Sequence, residues 1–228
     1  MRYDRIREGV FVTRLNRFVA QVKVDGRDEL CHVKNTGRLG ELLVPGTRAW
    51  VQEHEKSDRK TKYSLIAVER EGLCYNIDSQ APNHLAGEWL ESGKAFSGRT
   101  VSQIRKEQKY GNSRFDLMFQ LDGKKTFMEV KGVTLNQNGT ALFPDAPTLR
   151  GEKHVRELTE CLEQGYGACI LFVVKFETAQ QFAPNTERQP EFAEALKSAR
   201  QAGVHVMAAK CRVTPEEIRI EKEIPVIL

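Results

Sequence analysis

Asp116, Glu129 and Lys131 are the residues of this chain whose types and spacing could do chemistry. They lie in residues 113–131, where two alternating runs flank Asp122-Gly123. Asp-Gly between such runs is the strongest short-range hairpin signal, because both turn positions need positive φ. With those two residues as the loop, Leu121 pairs with Lys124, and the register then carries Asp116 opposite Glu129 and Arg114 opposite Lys131. Alternation puts these four on one face and Phe115, Leu117, Phe119, Leu121, Met128 and Val130 on the other. Two carboxylates facing each other at about 5 Å between Cβ atoms repel unless a cation sits between them. A divalent metal resolves that conflict. Asp, then Glu-x-Lys on the next strand, suits metal-assisted phosphodiester cleavage, with two oxygen ligands on Mg²⁺ and a lysine beside the attacking water. The other reading is a solvated strand face held by cross-strand ion pairs, which the bare Glu-x-Lys tripeptide favours.

The elements that must position these groups are bounded first by composition. The 228 residues are 40% hydrophobic and 29% charged, enough for a buried core in one large domain or two small ones. No apolar run approaches about 18 residues and no signal segment follows Met1, which points to the cytoplasm and away from a membrane. Five cysteines, Cys31, Cys74, Cys161, Cys169 and Cys211, are odd in number and contain no C-x-x-C pair, against a disulfide framework or a zinc site. A net charge of +4 permits a polyanionic partner without demanding one.

In the first third, residues 10–24 alternate as one long strand, and Asp25-Gly26 turns it into residues 29–33. Residues 48–53, 63–69 and 73–77 add three more. Five short strands in about 80 residues fit a small closed barrel of the OB type. Phe11, Phe18, Trp50 and Tyr63 sit in apolar alternation and read as core, while Cys31 and His32 point to opposite faces. The basic loop at residues 56–62, with Arg59, Lys60 and Lys62, stands where such barrels contact nucleic acid, or is simply a solvated charge run.

Residues 79–83 read as a linker, dividing the chain into domains 1–83 and 84–228. A short helix at 85–90, a strand at 100–110, the hairpin, helices at 151–164 and 190–202, and strands at 168–176 and 204–209 make a mixed sheet flanked by helices. Arg150, Lys153 and His154 near a helix start could bind phosphate through charge and free backbone amides, or lie on a capped surface helix whose histidine is satisfied locally. Asp145, between two prolines, could join a metal shell or sit in an ordinary turn.

Several motifs occur together in order: His32-x-x-Asn35-Thr-Gly37, Arg59-Lys-x-Lys-Tyr63, Ile77-Asp-Ser-Gln-x-Pro-Asn83, Ser113-Arg-Phe-Asp116, Glu129-Val-Lys-Gly-Val-Thr-Leu135, Phe143-Pro-Asp-Ala-Pro147 and Arg150-Gly-x-Lys-His154. The series spans nearly the whole chain and resembles the bacterial and archaeal sugar fermentation stimulation protein A family. The resemblance implies an α+β chain with an N-terminal OB-fold β-barrel and a C-terminal domain of the PD-(D/E)xK nuclease class. It further implies a DNA-binding protein, described as a regulator of sugar (maltose) metabolism. Asp116, Glu129 and Lys131 match the catalytic positions of that class, with Phe115 where a proline often stands. Mg²⁺ or Mn²⁺ would be held by Asp116, Glu129 and the Val130 carbonyl, and Lys131 would orient or deprotonate water. Arg114, Arg150, Lys153 and His154, with Arg59, Lys60 and Lys62, are the expected DNA contacts. The competing expectation is a non-catalytic, sequence-nonspecific DNA-binding regulator that keeps the metal site for phosphate contact. The partner is DNA, and a homodimer stays open. A sugar-handling enzyme finds no phosphate-cradling glycine loop here.

Overall fold

A computed structural model of the chain describes residues 1–55, 60–111 and 113–228. Arg59 therefore lies outside the described residues. The chain divides into two compact units. The first is Met1–Ala81 with Lys175–Thr178 and Cys211–Arg219; the second is Pro82–Val174 with Ala179–Lys210 and Ile220–Leu228. The domains expected from sequence are contiguous, whereas the first unit takes in two later segments.

In the first unit, β1 (Ile6–Arg14), β2 (Val19–Val24), β3 (Arg27–Val33), β4 (Arg48–Glu53), β5 (Tyr63–Arg70) and β6 (Leu73–Asn76) form one sheet in the order β3-β2-β1-β4-β5-β6. A parallel pairing of Cys31–Val33 with Tyr63–Leu65 joins β3 to β5 and closes β1–β5 into a five-stranded barrel of the OB type. Phe11, Val22, Val24, Cys31, Val51 and Leu65 are buried in it. Gly9 is required where β1 crosses β2, because a Cβ there would stand 2.6 Å from the Lys23 carbonyl oxygen. The long strand expected over residues 10–24 is instead a hairpin. Its turn contains no glycine or proline; the Asn16 side chain makes it by accepting the N–H groups of Phe18 and Val19 at 2.8 and 3.1 Å. Phe18 consequently leaves the core and is 49% exposed, while Phe11, Trp50 and Tyr63 are buried as their alternation implies.

In the second unit, α1 (Ala81–Glu91) begins inside the expected linker. Then come β7 (Val101–Tyr110), β8 (Ser113–Leu121), β9 (Lys124–Val133), β10 (Leu135–Gln137), β11 (Thr140–Phe143), α2 (Leu149–Glu163), β12 (Gly167–Val174), β13 (Gln181–Pro184), α3 (Pro190–Ala202), β14 (His205–Val213) and β15 (Ile218–Ile224). The mixed sheet runs β15-β14-β12-β9-β8-β7, antiparallel from β7 to β9 and parallel from β9 through β12 to β14, and β10-β11-β13 form a small second sheet. The helix at residues 190–202 and the buried β12 follow the sequence pattern closely, since β12 is apolar along almost its whole length. The small sheet and β15 were not expected. Strands of three or four residues carry almost no periodic signal, and β15 alternates charges on an exposed edge with only Ile218 and Ile224 buried. No helix among the described residues is long and apolar enough to cross a membrane.

Candidate functional site

The Asp122-Gly123 turn forms as its residue types require, with φ values of 51° and 79°. The β8–β9 ladder has the expected register from Leu121↔Lys124 to Leu117↔Met128, and there it stops. Beyond that point β9 stays paired with β12, and the Val130 N–H donates to Asp116 Oδ2 at 2.8 Å. Asp116 therefore reaches the Glu129–Val130 segment through its side chain and not as a ladder pair. Arg114 is likewise not set opposite Lys131: it pairs with Lys109 of β7, and its guanidinium lies 3.2 Å from Glu107.

The β9 part of the face is withdrawn from solvent, whereas Arg114 stays exposed. Glu129 is only 3% exposed, and the Lys131 side chain 15%. Glu129 Oε1 receives the Lys131 ammonium at 2.6 Å and His154 Nδ1 at 2.5 Å, while Oε2 is buried with no hydrogen-bond partner among the described residues. Leaving a buried carboxylate oxygen unmatched costs about 1–3 kcal/mol or more. Burial opposes ionisation of Glu129, but the hydrogen bonds from His154 and Lys131 outweigh it and hold this carboxyl below its usual range. Asp116 moves the other way: burial, and then the charge of Glu129, raise it against the donors that stabilise its anion.

One of those donors was missed from sequence. Asn83, in the first turn of α1, donates from Nδ2 to Asp116 Oδ1 at 2.7 Å. The available signal was Pro82, whose fixed φ suits a helix start. His154, expected at a phosphate, is 4% exposed on α2, with its ring edge-on to Phe115 at 6.2 Å between centroids. Its first role is to hold Glu129. Two helices thus each fix one carboxylate of a strand pair.

These residues fit a hard divalent cation. The donor set is oxygen, one buried oxygen lacks a partner among the described residues, and the charge of Glu129 acts on Asp116. No group of three His, Cys, Asp or Glu able to hold a metal occurs among the described residues, so Asp145 does not complete a cage. Two carboxylates with water in the remaining positions is a set that Mg²⁺ accepts readily.

Beside His154 opens a cleft of about 630 Å³ lined by Lys109, Ser113, Arg114, Leu149, Arg150, Lys153 and His154. Four expected DNA contacts, Arg114, Arg150, Lys153 and His154, meet here with Lys109, which sequence reading did not single out. Lys153 lies 3.5 Å from Glu157, but Lys109 and Arg150 have no carboxylate partner among the described residues. Arg150 is the second residue of α2, where free amides and the helix dipole also favour an anion. In the first unit, Lys62 is held 2.9 Å from Glu53 and lies over the Tyr63 ring, and Lys60 is exposed.

A family profile described as "SfsA N-terminal OB domain" matches residues 12–77, and one described as "Sugar fermentation stimulation protein RE domain" matches residues 80–217. The chain belongs to the sugar fermentation stimulation protein family. Curated homologues include those of Ruminiclostridium cellulolyticum, 47% identical over 228 residues, and Clostridium beijerinckii, 45% identical over 228 residues, each match covering all of both chains. Among solved structures, SfsA of Pyrococcus furiosus in complex with Ca²⁺ is similar at a TM-score of 0.89 and 29% identity, over 100% of this chain and 98% of that one. In this SfsA-family chain, the carboxylates, Asn83, Lys131, His154 and the cleft all fall within the stretch matched by the RE-domain profile.

Proposed function

We propose that this chain is a DNA-binding protein whose second unit carries a Mg²⁺- or Mn²⁺-dependent phosphodiesterase site. The observation that carries this reading is the half-buried Asp116 beside the buried Glu129, whose Oε2 is unmatched among the described residues, next to a cleft holding two cations with no carboxylate partner among those residues. The Ca²⁺ bound by the Pyrococcus furiosus relative supports a divalent site in the same fold. Asp116, Glu129 and the Val130 carbonyl would hold the ion, which when bound supplies Lewis-acid polarisation of a scissile phosphate. Asn83 and His154 keep the two carboxylates in place. Lys131, already at Glu129, would orient the water that attacks phosphorus. Lys109, Arg114, Arg150 and Lys153 draw the DNA backbone into the cleft, and Arg59, Lys60 and Lys62 of the first unit add contacts. In the cell, such a protein would act on DNA in the cytoplasm as part of the control of sugar metabolism.

One observation favours a binding-only reading, in which the metal site serves phosphate contact alone: the Lys131 ammonium is already engaged by Glu129 at 2.6 Å. A single assay separates the two. Single- and double-stranded DNA are incubated with Mg²⁺ or Mn²⁺ and wild type, Asp116→Ala or Lys131→Ala protein. Cleavage by wild type alone supports catalysis. Binding without cleavage by any of the three leaves the regulator, and equal cleavage by all three removes the assigned residues.

A further inference from the structure

Leu149 is 82% exposed, and the next most exposed large hydrophobic side chain, Leu15, reaches 54%. A single exposed leucine needs no explanation by itself. This one stands in the wall of the cationic cleft, at the first position of α2, where proline or an acidic residue would serve the helix better. It is also held firmly. The preceding Thr148 caps the helix by accepting the Gly151 N–H at 2.9 Å, and a Cβ on residue 151 would come within 2.7 Å of Thr148 Cγ2. The Gln189 side chain, 5% exposed, grips the Thr148 backbone at both ends: its Oε1 accepts the Thr148 N–H at 2.8 Å and its Nε2 donates to the Thr148 carbonyl at 3.4 Å. An apolar tip is therefore presented from a rigid mount.

The rest of the cleft decides what that tip meets. Its cations bind phosphate without regard to base identity. Its uncharged polar groups are already engaged, Ser113 with Glu157 at 2.7 Å and His154 with Glu129. That leaves the cations and Leu149 to meet a ligand. A backbone drawn in by Lys109 and Arg150 brings a sugar or base face against Leu149.

We propose that Leu149 is a wedge that enters between bases, so that the cleft selects nucleic acid that is unpaired or easily unstacked rather than a particular sequence. This rests on the reading of the cleft as a DNA site, but not on cleavage. Inserted apolar side chains partly unstack a base step, at a cost that is least where pairing is already lost. The preference for deformable DNA is then a property of one side chain.

The test uses full-length protein in EDTA, so that no strand is cut. Affinities are measured for a matched duplex and for the same duplex with one central mismatch, with 2-aminopurine beside the mismatch to report unstacking. Wild type should prefer the mismatched duplex by about tenfold and raise the 2-aminopurine signal. Leu149→Ala should lose both effects while keeping the salt dependence of binding, Leu149→Met should restore most of each, and Arg150→Ala should weaken both duplexes alike. Equal discrimination by wild type and Leu149→Ala overturns the wedge while leaving the DNA site standing. Failure of the wild type to bind either duplex overturns both.

Discussion

Several cations of the barrel and two of the four in the cleft, Lys109 and Arg150, are equal in kind and opposite in circumstance. In the first unit, Arg48 reaches Glu8 and Glu69 at 2.6 and 3.3 Å, Lys62 reaches Glu53 at 2.9 Å, and Lys34 reaches Asp78 at 3.1 Å. Arg14 has no acid among the described residues but places its donors on the carbonyls of Asn16, Arg17, Asn35, Gly37 and Arg38. These charges hold loops and strands together. In the cleft, Lys109 and Arg150 answer to no carboxylate among the described residues, and of the nearby acids Glu129 is buried while Asp116 is half-buried and feels its charge. A net charge of +4 describes neither arrangement. What marks a site is positive charge left unmatched next to negative charge that is itself incompletely matched.

That contrast can be broken most severely at the acids. Asp116→Ala or Glu129→Ala should lower metal-dependent cleavage by about a hundredfold or more, read as initial rates at saturating Mn²⁺. A smaller effect is expected one step out. Asn83→Ala should weaken Mn²⁺ or Ca²⁺ binding by about 10–100-fold in calorimetry, with the melting temperature of the metal-free protein little changed. At the cations, Arg150→Ala or Lys109→Ala should each lower the slope of log affinity against log salt by about 1, uniformly across sequences. Lys62→Ala should change it less, because Glu53 already holds that amine. An equal change at Lys62 and Arg150 would erase the distinction between the two regions.

The smallest effect is in pH. Asp116 is raised, so its unfavourable burial is relieved in acid and its contribution to stability is lost as pH rises through its folded value. Glu129 is lowered, so its contribution is present above the ordinary carboxylate range and is lost as pH falls through its folded value. Carboxyl NMR titration of the metal-free protein should therefore find Asp116 titrating above the ordinary aspartate range and Glu129 below the ordinary glutamate range. Asp116→Asn should raise the melting temperature near neutral pH in EDTA, and added Mn²⁺ should remove that advantage by stabilising the wild type alone.

Much of this was legible in the residues, and the exceptions share a cause. Asp122-Gly123 fixed the hairpin register because only certain residues tolerate two positive φ values. It could not reveal where the ladder ends: β12 pairs along the other edge of β9, and beyond Met128 the β8 side of β9 is met by the Asp116 side chain at the Val130 N–H. The apolar pattern located α2, but His154 bonds to Glu129, 25 residues away in sequence, and spacing along a helix says nothing about such a partner. Lys109 and Asn83 entered the site by the same route, one on the strand paired with β8 and the other from a helix start that reads as a linker. In the barrel, a turn made by an asparagine side chain, without glycine or proline, was taken for continuous strand, and Phe18 was misplaced with it.

The claim on which the rest depends is that Asp116 and Glu129 form a divalent-metal site. A crystal soaked in Mn²⁺ tests it most directly through anomalous scattering. One ion bonded to Asp116 and to Glu129 Oε2, with the Val130 carbonyl and water completing its shell, is the expected result. No density between the two carboxylates at saturating Mn²⁺ would contradict it.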